Sequence, residues 1–280
     1  MPAGTDQPVT APHRLVLSAA EYAFLVAKSG FDLPPEWAPA PDITTGAEAA
    51  ALLDRGVLRG SGDLTTVHPS VEANLRVLAA PRIMIDTTAT VGSRGSRSLH
   101  AFNGALGASL FLLPDAAVEL SLFAAVDLGR ELVRAVPAWQ AGGIGSLLDD
   151  AGDAAPLRGT VPLDALHELG IADLMREADP GAAAHVLDVL KLPEAEAAFA
   201  QEVVRRTDGV LRCLATAVVG AGSDQPTVRS AQLTWLHSDT GWVGIRPAAV
   251  GTDRRLVELA PVERDEIGVW LAPYVAEALT

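Results

Sequence analysis

The chain has 280 residues, with 35 acidic and 21 basic side chains, a net charge of −14 and a sequence pI near 4.8. Such a balance repels phosphate backbones unless a basic face is segregated, and no run of Lys or Arg supplies one, so nucleic acid is not an expected partner. The hydrophobic share of 49% is a globular proportion, and the single cysteine, Cys213, excludes an internal disulfide or a cysteine-based zinc site.

In chain order, residues 1–14 read as a polar, flexible tail without the basic start and apolar stretch of a signal peptide. No apolar run approaches the roughly 20 residues that span a bilayer, so a cytoplasmic protein with no membrane insertion is expected. Ser18 with Glu21 three residues later forms a capping box for a first helix, which Gly30 ends. The proline-rich stretch 33–41 is extended. A second helix is predicted over 45–55 with Thr45 as cap and Glu48 as its partner. A short strand over 63–67 and a third helix over 69–79 follow, the latter with Pro69 in its first turn.

Strands are then predicted over 82–91, 97–103, 107–113 and 117–123, with Gly92-Ser93-Arg94-Gly95-Ser96 as a loop between the first two. A helix over 128–136 closes this half. Residues 141–160, rich in Gly, Ala and Asp, read as a linker. Helices over 163–169, 181–190 and 193–206 precede strands over 210–219, 228–236, 242–246 and 255–259, and a helix over 263–278 in which Pro273 predicts a kink or a split.

Helices, about four antiparallel strands and a helix therefore occur twice. The expected fold class is α+β, a pseudo-twofold duplicated unit with halves 15–140 and 161–280 in one compact domain, its two sheets joined edge to edge.

Catalytic signatures are weak. His68, His100, His167, His185 and His237 show neither helical i, i+4 spacing nor HExxH. Ser93, Ser96 and Ser98 fall in the predicted loop, not in a GxSxG turn. Gly142-Gly143-Ile144-Gly145 lacks the Lys-Ser/Thr of a phosphate loop. The sequence thus predicts no enzyme, no metal and no cofactor. Cys213, in an apolar run, reads as a buried structural thiol, and Trp235 as hairpin core. The first three helices also fit a winged-helix regulator with a C-terminal sensing part, which needs a basic face around Arg55, Arg59 and Arg76. The third helix offers only Arg76, with Glu72 beside it. A hidden hydrolase needs a polar cleft with a serine or carboxylate beside a histidine.

Three segments carry a family likeness: Leu75-Arg76-Val77-Leu78-Ala79-Ala80-Pro81 leading into Ile83-Met84-Ile85, the hairpin 235–245 with Asp239-Thr240-Gly241 at its turn, and Val257-Glu258-Leu259-Ala260-Pro261 before an amphipathic C-terminal helix. Over about 15–279 the chain resembles the EspG proteins of actinobacterial type VII (ESX) secretion. The resemblance implies a cytosolic chaperone without an active site, which binds the hydrophobic tip of a helical secreted protein or heterodimer (PE/PPE-like or WxG-type) and keeps it soluble for export. It also implies a binding surface from the central sheet, a loop between early strands and the C-terminal helices. Here those would present Arg94, Gly95 and Arg97, and Ile267, Trp270, Leu271 and Tyr274, with core packing as the alternative role of the last four and steering of an acidic partner as a role for the arginines.

Overall fold

The computed structural model describes residues 13–40, 47–138, 155–220, 226–248 and 255–279. The predicted cap at Thr45 and the glycine run 142–145 lie outside these residues.

The first half runs β1 (His13–Leu17), α1 (Ala19–Ser29), α2 (Glu48–Asp54), the two-residue strands β2 (Leu58–Arg59) and β3 (Thr66–Val67), and α3 (Pro69–Ala79). The meander β4 (Ile83–Val91), β5 (Arg94–Asn103), β6 (Leu106–Leu112) and β7 (Val118–Ala124) follows, then α4 (Leu128–Ala135). The second half runs β8 (Gly159–Pro162), α5 (Leu163–Leu174), α6 (Ala182–Leu190) and α7 (Glu194–Arg206). It continues through β9 (Thr207–Val219), β10 (Thr227–Ser238), β11 (Gly241–Pro247) and β12 (Leu256–Val262) to α8 (Ile267–Leu279).

One antiparallel ten-stranded sheet has the order β1-β7-β6-β5-β4-β9-β10-β11-β12-β8. Each half places its opening strand at an outer edge and the first strand of its meander at the middle. There β4 and β9 pair along nine residues, from Ile83 opposite Ala217 to Val91 opposite Gly209. The halves thus supply each other with the partner that an open central edge would lack.

The sequence reading missed both opening strands. Residues 13 and 14, assigned to the tail, lie in β1, and Gly159 and Thr160, assigned to the linker, lie in β8. A five-residue and a four-residue edge strand carry too little alternation to stand out beside the helices that follow. The capping box does form: Ser18 Oγ accepts from the Glu21 amide, and Glu21 accepts from the Ser18 amide. Helix α8 continues through Pro273 without splitting. The carbonyl that Pro273 leaves without a donor belongs to Val269, itself exposed, so water can satisfy it.

Pleating decides which face each helix covers. On one face, α1–α3 close over Leu99 and Ala101 of β5, Ala108 and Leu110 of β6, and Leu120 of β7. On that same face α5 and α7 close over Val243, Val257 and Leu259. The opposite face is covered at its centre by α4 and α8, which bury Ile83, Ile85, Leu211, Cys213, Ala215, Leu233 and Trp235. These two helices meet at the second residue of each, where a Cβ on Gly268 would come within 3.2 Å of the Gly129 Cα. Cys213 is fully buried and its thiol is pushed up to about 12 by desolvation, so it stays protonated and inert, the structural role its apolar run predicts.

Candidate functional site: an open strip on the central sheet

Cross-strand register locates the part of the sheet that no helix covers. Leu99, under α1–α3, lies opposite Asp86 of β4; Asp86 lies opposite Leu214 of β9, and Leu214 opposite Gln232 of β10. The neighbouring row is Arg97, Thr88, Arg212 and Thr234. Two residues beyond Thr234 on β10, the same face reaches Leu236, which packs among the residues buried by α5 and α7. Between the two helical groups, Thr88, Arg212, Leu214 and Gln232 are exposed, and Leu214 keeps 46% of its surface open. Their strand neighbours Thr87, Ala89, Cys213 and Leu233 point to the opposite face and are buried. The strip is therefore a groove with a β-sheet floor, open between the two helical groups.

The wall on the α1–α3 side is built around Trp37. The Tyr22 hydroxyl donates to the Trp37 carbonyl at 2.9 Å, and burial raises its pKa further above the ordinary tyrosine value. Trp37 Nε1 donates to Asp86 Oδ2 at 3.1 Å. Arg97 lies 4.5 Å over the indole and reaches Asp86 at 2.8 Å and Glu36 at 2.9 Å. The Asp86 hydrogen bond, together with Glu36, raises the arginine's pKa against the opposing effect of burial. Arg97 is thus committed to its own wall. Elsewhere, Ile171, Leu174 and Met175 at the end of α5 expose large apolar side chains.

The residues predicted as contacts divide between the two sheet faces. Gly95 and Arg97 lie opposite Thr90 and Thr88, on the face of the strip. Arg94 lies opposite Val91 and turns to the other face, where it lines a cleft with Asp208 and His237. The expected loop is a hairpin with a two-residue turn at Gly92-Ser93, and Arg94, Gly95 and Ser96 are already paired in β5. A residue shift of one along a strand reverses the side chain, so a loop reading could not tell Arg94 from Arg97.

All four α8 residues lie on the face opposite the strip. Ile267 is 0% and Leu271 3% exposed, so these two are core, and a partner contact for them is withdrawn. Trp270 stands edge-on to Trp235 at 5.8 Å, with Arg246 3.7 Å over its ring. Tyr274 donates to the Arg229 carbonyl at 2.8 Å. Trp235 has no exposed surface, in keeping with its hairpin-core reading. Trp270 also depends on a glycine: a Cβ on Gly244 would stand 2.3 Å from the indole Cη2. With Trp235 and Arg246 against the ring, it has little room to retreat. Gly244→Ala is expected to cost about 1–3 kcal/mol, read as a fall of several degrees in the unfolding midpoint.

The site residues missed from sequence are Thr88, Arg212, Leu214 and Gln232. Their signal was present in β9, where Arg212 interrupts the buried run Leu211, Cys213, Ala215 and Ala217.

A profile of the EspG family matches residues 18–272. The chain belongs to the EspG family. Among solved structures, the Mycobacterium tuberculosis type VII secretion system chaperone EspG5, determined in complex with a PE25-PPE41 dimer, superposes with a TM-score of 0.60. The match covers 92% of this chain and 94% of that one at 13% identity, which is a likeness of fold. A search of curated proteins returns no match. This EspG-family chain therefore shares the α+β architecture of EspG5. Among the described residues, no helix is long and apolar enough to cross a membrane.

Proposed function

We propose that the protein is a cytosolic type VII secretion chaperone, not an enzyme, and that it covers the hydrophobic tip of a helical substrate with the open strip. Family membership supports the chaperone role. The observation that carries the choice of surface is the groove itself, a sheet floor left bare between two helical groups with Leu214 exposed at its centre. A helix-hairpin end fits a groove of this kind, and an apolar tip that stays in water aggregates. The winged-helix reading loses its support at α3. That helix packs on the sheet through Asn74, Leu75, Val77 and Leu78, and Arg76 is paired with Glu72.

The test is co-expression of the protein with PE–PPE heterodimers of the organism that encodes it, followed by size-exclusion chromatography. At least one heterodimer is expected to co-elute in equal amount. Leu214→Asp places an unpaired carboxylate under an apolar tip and is expected to weaken that complex at least thirtyfold, with the fold unchanged by circular dichroism. Failure of every heterodimer to co-elute, or a complex indifferent to Leu214→Asp, removes the proposed surface.

A further inference from the structure

Arg212 sits at the middle of the strip, and its guanidinium has no ion pair or hydrogen bond to any described residue. It is exposed, and its cross-strand neighbours, Thr88 on β4 and Thr234 on β10, are neutral. The diagonal carboxylate, Asp86, is already held by Trp37 Nε1 and by Arg97. The remaining polar residue of the floor, Gln232, is bonded to Thr234. The floor thus contains one engaged guanidinium, at its wall, and one free guanidinium, at its centre.

That arrangement is unusual for this composition. With 35 acidic against 21 basic residues, the chain as a whole repels an acidic partner. A free cation inside a groove is a local exception to that field, and grooves with low-dielectric walls strengthen it. Leu214 stands two residues along the same strand and on the same face, so one ligand can meet an apolar surface and a guanidinium together.

We infer that Arg212 selects among helical substrates by binding a carboxylate of an Asp or Glu side chain at the tip, next to the apolar residue that covers Leu214. This rests on the chaperone reading above and adds to it the chemistry of the partner. Arg212 is a specificity residue: the apolar contact supplies most of the affinity, and the guanidinium rejects a tip that presents a cation or no charge. Arginine suits the role because its planar fork meets a carboxylate in two parallel hydrogen bonds.

The experiment uses the full chain and a co-eluting PE–PPE heterodimer, with affinity measured by calorimetry at low and high salt. Arg212→Ala is expected to weaken binding about tenfold and Arg212→Glu about a hundredfold, both with a smaller salt dependence than the wild type. Each Asp and Glu at the heterodimer tip is then changed to Arg, and one such change is expected to restore binding to Arg212→Glu while weakening binding to the wild type. If Leu214→Asp abolishes binding but Arg212→Glu does not, the groove stands and the carboxylate inference is overturned. A loss in Arg212→Glu that no tip charge reversal repairs also overturns it. If the wild type retains no heterodimer, the chaperone reading falls and this inference with it.

Discussion

Arg134→Met is expected to lower the free energy of unfolding by about 3 kcal/mol, the largest loss foreseen for a change outside the apolar core. Arg134 lies in the last turn of α4, where it donates to Glu131 at 2.8 Å, pairs with Glu119 and stacks 4.4 Å over Phe111. Glu131 is only 2% exposed. Its carboxylate also accepts from Ser109 Oγ at 3.2 Å, and Arg14 stands 3.7 Å away on the edge strand. Methionine keeps the stem that packs on Phe111 but removes the cation. The carboxylate then remains in a dry site with one hydroxyl and a longer, 3.7 Å ion pair to the half-exposed Arg14. Such an orphaned charge costs more than the pair contributes, because the desolvation is no longer offset.

The same reasoning gives the control. Glu131→Gln combined with Arg134→Met removes the charge along with its partner, and at least half of the lost stability is expected to return. Urea unfolding of the wild type and the two variants at neutral pH measures this. A single variant within 1 kcal/mol of the wild type, or a double variant no better than the single, would show that the pair is not what holds this corner.

The elements of this fold were largely legible in the sequence because most are long and periodic. The α3 helix was read over its full length, and the four strands of the first meander were each placed to within about three residues. Two things were not legible. One was the edge strands β1 and β8, where a handful of residues draw their strand character from a neighbour far along the chain: Leu15 pairs with Leu120, and Val161 with Val257. The other was the sidedness of the site. The aromatic residues of α8 have the spacing of a docking face, and that spacing is equally the signature of a helix buried on a sheet. Only the register of the central strands separates the two, and register between β4 and β9 joins residues more than a hundred positions apart. The strip itself was marked by its exception, an arginine in a run of small apolar residues. A strand paired on both sides and covered on both faces would have no place for it.

The second large effect is an acid sensitivity located at one side chain, His100. It lies on β5 beneath α4, is 0% exposed, and meets Phe111 edge-on at 5.3 Å. Its Nε2 shares a hydrogen bond of 3.0 Å with Ser98 Oγ, and its Nδ1 has no partner among the described residues. Desolvation, with the nearby Arg134 charge second, pushes its pKa down to about 3. The sign follows from proton counting. Above the unfolded value of about 6.5 the ring is neutral in both states and pH has no effect through it. As pH falls below 6.5 the unfolded chain takes up a proton that the folded chain refuses, so stability declines until the folded ring also titrates near pH 3. By pH 5 the loss from this residue alone is expected to be roughly 2 kcal/mol. His100→Phe keeps the ring against Phe111 and cannot bind a proton. The other histidines and every carboxylate are shared by the two proteins, so the difference between their stability–pH curves isolates this site. The wild type is expected to lose about 2 kcal/mol more than His100→Phe between pH 7.5 and 5, whatever the variant's stability at pH 7.5. Parallel curves over that range would mean that the folded protein protonates His100 readily, and that the pocket beneath α4 admits water or a counter-charge.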